Sequence, residues 1–154
     1  MTRIMAVTKE DIPGLCLLEE QLFTCDRISP RQFSYLISKA NSVVIKAVCS
    51  EIFAGYMVLL RRRNSRRMRI YSLGVAPSVR RLGVAAEMLA FAEDIAAKHN
   101  CNCLSLEVSK HNDAALRFYK NAGFLYYGEK QKFYEDGTTA LLLKKNIPER
   151  ETQP

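Results

Sequence analysis

The stretch Leu73-Gly74-Val75-Ala76-Pro77-Ser78-Val79-Arg80-Arg81-Leu82-Gly83-Val84-Ala85 has the makings of an anion cradle. An apolar strand ends, a basic turn follows, and a helix opens on small residues. The first amides of a helix have no intrahelical acceptors and sit at the positive end of its dipole. They accept phosphate oxygens wherever small side chains let a ligand reach the backbone. Gly83 and Ala85 meet that need, Leu82 and Val84 flank them, and Arg80 and Arg81 add charge. Spacing excludes two common nucleotide loops. Walker A needs Lys and Ser or Thr after its second glycine, and a dinucleotide fingerprint needs G-x-G-x-x-G. Gly83 is followed instead by Val84-Ala85-Ala86-Glu87. On the residues alone, the favoured reading is a glycine easing close helix–sheet packing, with both arginines solvated.

The surrounding pattern supplies elements to position such a cradle. Arg3 to Val7 reads as a strand, and Thr8 or Asp11 caps a helix with Ile12, Leu15, Leu18, Leu22 and Phe23 on one face. Ser29-Pro30 opens a second helix through Ile37. Strands follow at Ser42 to Cys49, Ile52 to Arg61 and Met68 to Val75, the last two separated by the arginine-rich loop Arg61 to Arg67. Gly83 to Lys98 has helical spacing, Cys103 to Ser109 alternates as a strand, and Asn112 caps a helix stopped by Gly123. Phe124 to Tyr134 and Thr138 to Lys145 are expected as a hairpin about Asp136-Gly137. The order is βααββ followed by βαβαββ, a mixed α/β sheet in one domain over residues 1–146, with a polar tail at 147–154.

Arg80-x-x-Gly83-x-Ala85 after that strand resembles the acyl-CoA loop of the GNAT superfamily of acetyltransferases. A second family motif, a strand, an Asn-headed helix, a Tyr and a terminal Gly-Phe, is similar to Leu104 to Val108, Asn112, Tyr119 and Gly123-Phe124. The resemblance spans Arg3 to Lys145. The C-terminal half is similar to the RimI branch, the ribosomal-protein alanine N-acetyltransferases, through Glu107 to Tyr119 and the Phe133-Tyr134 pair. The N-terminal half departs from that branch. Its Pro-Trp between the first two helices is replaced here by Phe23 to Pro30, and the chain has no tryptophan.

The resemblance implies a three-layer α/β/α acyltransferase fold and acetyl-CoA as co-substrate, with no metal. It implies contacts to the donor from Leu73, Gly74, Val75, Arg80, Arg81, Leu82, Gly83, Val84, Ala85, Asn112 and Tyr119. The Val75 amide would face the developing oxyanion, on a strand that splays from its neighbour. Tyr119 would be the general acid for the departing thiolate, whereas on spacing alone it is also an aromatic on a buried stripe. Glu107, a carboxylate in an otherwise apolar strand, would be the base, although alternation allows an outward-facing residue as well. The implied acceptor is a primary amine, either a protein N-terminus or a small-molecule amine, and both monomer and homodimer fit.

Composition sets the remaining bounds. With 154 residues, 48% hydrophobic and 25% charged, the chain matches a globular domain rather than a disordered or fibrous one. The longest apolar run, Ile52 to Leu60, is too short to cross a bilayer, and Met1 to Glu10 does not read as a signal peptide. A cytoplasmic protein without membrane partners is therefore expected. Five cysteines at irregular spacing fit reduced thiols, and Cys101-Asn102-Cys103 lacks the second pair a zinc site would need. The net charge of +7 favours acidic partners. No nucleic-acid-binding motif accompanies it, so nucleic acid is not the expected partner, and a nucleic-acid- or ribosome-binding module without catalysis, suggested by the charge and the Arg61 to Arg67 loop, is the alternative.

Overall fold

In the computed structural model, which describes residues 2–39 and 41–148, one seven-stranded sheet forms the centre of the molecule. Strands β1 (Thr2–Ala6), β2 (Ser42–Cys49), β3 (Ile52–Arg61), β4 (Arg67–Val75), β5 (Cys103–Ser109), β6 (Leu125–Lys130) and β7 (Ala140–Asn146) lie in the order β1-β2-β3-β4-β5-β7-β6. Only the β4–β5 pair is parallel; the others are antiparallel. A parallel pair cannot be closed by a tight hairpin and needs a crossover. Helix α3 (Val84–Lys98) provides it.

Helices α1 (Ile12–Leu22) and α2 (Pro30–Ser38) cover one face of the sheet, and α3 the other. Strand β3 shows the layering residue by residue, because Ala54 to Leu59 are all buried. A Cβ on Gly55 would meet the Met88 methyl of α3, whereas the neighbouring Tyr56 ring packs edge-on against Phe33 of α2, centroids 6.0 Å apart. Alternate residues of one strand thus feed two cores, as a sheet covered on both sides requires. The expected three layers are present.

The caps follow the sequence signals. Ser29 Oγ accepts from the Gln32 amide while Gln32 Oε1 accepts from the Ser29 amide, a reciprocal box at the start of α2. Thr8 caps a single 3-10 turn, Lys9–Asp11, whose Asp11 also accepts from Lys46 Nζ at 2.7 Å. Helix α4 (Asp113–Asn121) is capped by Asn112, whose Oδ1 accepts from the Ala115 amide at 3.1 Å.

The expected hairpin over Phe124 to Lys145 needs correcting. Strand β6 ends at Lys130, so residues 131–139 form a loop rather than strand continuations. Asp136-Gly137 does turn the chain, with Gly137 at φ +83° and its amide donating to the Tyr134 carbonyl. The turn lies inside the loop because the Glu135 amide donates to Asp26 Oδ2, drawing the segment toward the α1–α2 connection and away from the sheet. Of the tail expected at 147–154, Ile147 is buried and its amide donates to the Asn102 carbonyl. Residues 149–154 lie outside the described residues. No helix among the described residues is long and apolar enough to cross a membrane.

Candidate active site

Strands β4 and β5 pair only from Arg67 with Cys103 to Ile70 with Leu106, and then part. The cause is visible on the other edge of β4. There Val58 pairs with Ser72 and Leu59 with Ile70, so Tyr71 is an extra residue, a β-bulge. Bulges bend the strand that carries them. Beyond Tyr71, β4 stays with β3 and leaves β5.

That divergence exposes backbone donors. The Ala76 amide donates to the Ala54 carbonyl of the β3 chain at 2.7 Å. Amides alternate in direction along a strand. The register is constant from Ser72 to Val75, so Leu73 and Val75 direct their N–H groups to the opposite side, into the gap.

The gap opens onto a cavity of about 470 Å³. Its walls include Leu73 of β4, Glu107 of β5, and Asn112 and Tyr119 at the α4 end. Tyr119 is buried, its ring held edge-on by Phe118 and Phe124 at 5.1 and 5.3 Å. Its hydroxyl has no hydrogen-bond partner among the described residues, and burial pushes its pKa well above that of a free tyrosine. At neutral pH this is a fully protonated phenol facing a cavity.

Glu107 is not an outward-facing bystander. Its Oε2 accepts from Arg69 Nε at 2.9 Å, and Lys130 Nζ lies 3.8 Å from Oε1. Its side chain is only 12% exposed. Tyr134 stands in the same cavity with its pKa pushed up to about 12, first by burial and then by the Glu107 charge. The 131–139 loop, which carries Tyr134, and the α1–α2 connection, which carries Asp26, meet over the cavity through the Glu135–Asp26 bond.

A buried carboxylate holds the second loop in place. Glu19 of α1, 2% exposed, accepts from the Tyr56 hydroxyl and from the Ile28 amide at 3.0 Å. Burial raises its pKa, opposed by those hydrogen bonds. Sequence reasoning missed it. The signal was there: Glu19 follows Leu15 by four residues and precedes Leu22 by three, on the apolar stripe itself.

The cradle residues occupy the turn between β4 and α3. Arg80, Arg81, Leu82 and Gly83 are exposed, and Val84 and Ala85 begin the helix. Gly83 caps α3 at φ +81° with open space where a Cβ would stand. The first intrahelical bond runs from the Glu87 amide to the Gly83 carbonyl, leaving the amides of residues 84–86 for a ligand. Donors, charge and room all fit a diphosphate. Gly74 has a different reason to be glycine, since a Cβ there would stand 2.7 Å from Leu22 and 2.8 Å from Tyr56. Among the described residues there is no cluster of three His, Cys, Asp or Glu side chains that could hold a metal.

The profile of the Acetyltransferase (GNAT) family matches residues 13–124, which includes the cradle, the strand gap, Glu107 and Tyr119. The chain belongs to that family. This GNAT chain is 32% identical over 117 residues to the Probable N-acetyltransferase san of Drosophila melanogaster, covering 74% of this chain and 59% of that one. It is 26% identical over 147 residues to the N-alpha-acetyltransferase RimI of Mycobacterium tuberculosis, covering 93% and 91%. Among solved structures, Ard1 from Thermoplasma volcanium superimposes with a TM-score of 0.88 over 96% of this chain and 99% of that one, at 21% identity. This chain is thus a RimI-like acetyltransferase, an acyltransferase of a family that uses acetyl-CoA.

Proposed function

We propose that this acetyltransferase moves the acetyl group of acetyl-CoA to a protein N-terminal α-amine by direct attack. The observation that carries the reading is the β4–β5 gap. It opens onto one cavity holding a carboxylate, Glu107, and a protonated phenol, Tyr119, beneath two tethered loops. The naming of the RimI relative as an N-alpha-acetyltransferase supports the choice of acceptor.

The α-amine attacks the thioester carbonyl, the C–N bond forms, and negative charge develops on the carbonyl oxygen. Fixed backbone donors aimed at such a charge are an efficient stabiliser. The Val75 amide has that role in this reading, and Leu73 lines the path. As the C–S bond breaks, Tyr119 gives its proton to the thiolate and regains one from solvent at the cavity mouth. The proton lost by the amine passes through a water to Glu107. A neutral nucleophile is required. An α-amine with pKa near 8 is roughly 10% neutral at pH 7, a lysine only about 0.04%. Either acceptor gains from a base, and the α-amine needs far less help. Arg80, Arg81 and the amides opening α3 grip the diphosphate, and Asn112 contacts the pantetheine arm.

The test is an acceptor panel with acetyl-CoA, following thiol release and mapping the product by mass spectrometry. Peptides acetylated at their α-amines support the reading. Turnover of free amines, amino acids or polyamines with no peptide activity would replace it with a small-molecule acetyltransferase.

A further inference from the structure

Next to the catalytic cavity lies a second groove of about 640 Å³ on the sheet, and the two share Arg69 and Glu107. Among the described residues its charge is one-sided: seven lysines and arginines against the carboxylate of Glu107. Arg69 and Lys130 spend their charge on that carboxylate. Lys39, Arg61, Arg62, Arg63 and Arg67 pair with no carboxylate among the described residues. Ser42 Oγ, in the wall of the same groove, is buried without a hydrogen-bond partner. A run of uncompensated cations in a groove that shares the Arg69–Glu107 wall with the catalytic cavity is a binding surface for negative charge.

We infer that this groove holds an acidic segment of the acceptor polypeptide, a few residues beyond the amine being acetylated. The inference rests on the N-terminal acetylation reading and adds the specificity of the same site. The geometry sets the register. Arg67 lies two residues from Arg69 on the same side of β4, about 6.6 Å farther from the catalytic cavity. The loop carrying Arg62 and Arg63 lies beyond it. An extended peptide advances about 3.3 Å per residue, so carboxylates at roughly its third to sixth positions would meet these cations. A single-stranded nucleic acid fits less well. Binding of that kind uses aromatic faces on which bases stack. Tyr127 is the one aromatic in the groove wall, and its ring is already occupied by Arg67 and Lys144, 5.7 and 5.2 Å from the centroid.

The test compares peptides that share a neutral first pair of residues and carry Glu, Ser or Lys at positions three to six. Acetylation is measured at low and high salt, in the wild type and in the doubly substituted Arg62→Ser, Arg63→Ser protein. Polarisation with labelled, already acetylated versions reads binding without turnover. The expected result is a preference of about tenfold in kcat/KM for the acidic over the neutral peptide, the sum of a few exposed ion pairs, residing in KM. High salt and the double substitution should each erode it. Equal rates for all three peptides, or a preference that survives the double substitution, would overturn the inference. So would salt-sensitive binding of oligouridine, abolished by the double substitution, with no charge preference among peptides. Failure of every peptide as an acceptor would end the N-terminal reading, while the polarisation measurement would still report on the groove.

Discussion

Replacing Tyr119 by Phe isolates one atom. The ring would stay where it is, because Phe118 and Phe124 hold it edge-on from two sides and neither contact involves the oxygen. The hydroxyl bonds no group among the described residues, so its loss breaks no protein–protein hydrogen bond, and the melting temperature should move by no more than a few degrees. The chemical consequence is separate. A positioned general acid contributes about 10²–10⁴-fold. A departing thiol of pKa near 8.5 is a fair leaving group without help, so the lower end applies. A fall in kcat of about 100-fold, or roughly 2.7 kcal/mol, is expected, with the affinity for acetyl-CoA within about threefold of wild type. Initial rates from thiol release, together with calorimetric titration of acetyl-CoA, separate the two quantities. Burial raises the Tyr119 pKa, so the wild-type kcat should also show no loss from tyrosine ionisation up to about pH 10. A Phe variant within twofold of wild-type kcat would remove Tyr119 from proton transfer.

Glu107→Gln should lower kcat by about 100-fold or more while leaving acetyl-CoA affinity near wild type, and a kcat within twofold of wild type would move the base elsewhere. Gly83→Ala puts a Cβ in open space at φ +81°, so only backbone strain of about 1–2 kcal/mol opposes it and the melting temperature should fall by several degrees. Gly83→Glu adds bulk and negative charge at the helix opening, and titration should find acetyl-CoA affinity abolished; normal affinity would place the diphosphate elsewhere. Glu19→Ala strands the Tyr56 hydroxyl and the Ile28 amide, at a cost of about 2–4 kcal/mol by chemical denaturation. Because burial raises the folded pKa of Glu19, its titration favours the folded state most below about pH 4.5 and less as pH rises through the folded value. Glu19→Gln should flatten that slope, and an identical slope in both proteins would assign it to another group.

Strand boundaries in the middle of the sheet were legible because apolar alternation is a local signal. Ser42–Cys49, Ile52–Arg61 and Cys103–Ser109 are observed as read. Phe124 to Tyr134 was over-extended because its aromatics resemble strand residues, while the Glu135–Asp26 bond that draws the segment off the sheet links residues 109 positions apart. The same limit applied to Glu107. Alternation gives the side of a strand on which a carboxylate stands, but not whether a cation from another strand faces it. Arg69 is 38 residues away in sequence, and nothing near either residue announces the pair. Glu19 is the opposite case, a local signal, since its spacing from Leu15 and Leu22 alone places a carboxylate on the apolar stripe.

The chemistry of the site begins with a mismatch in strand length. Between Ile70 and Ser72, β4 has one residue more than its partner β3 can match, and Tyr71 is the surplus. The bulge bends β4, and pairing with β5 stops at Ile70, immediately before it. Had pairing continued, the amides of Leu73 and Val75 would have been spent on β5, and no gap would separate Leu73 from Glu107. The helix that follows could still offer its first amides to a diphosphate, but a chain gripped there would have no route between the strands to Glu107 and Tyr119, the proposed base and acid. The bulge therefore couples two features that the sequence presents separately, the Gly83 turn and the Glu107–Tyr119 pair, by opening the sheet between them.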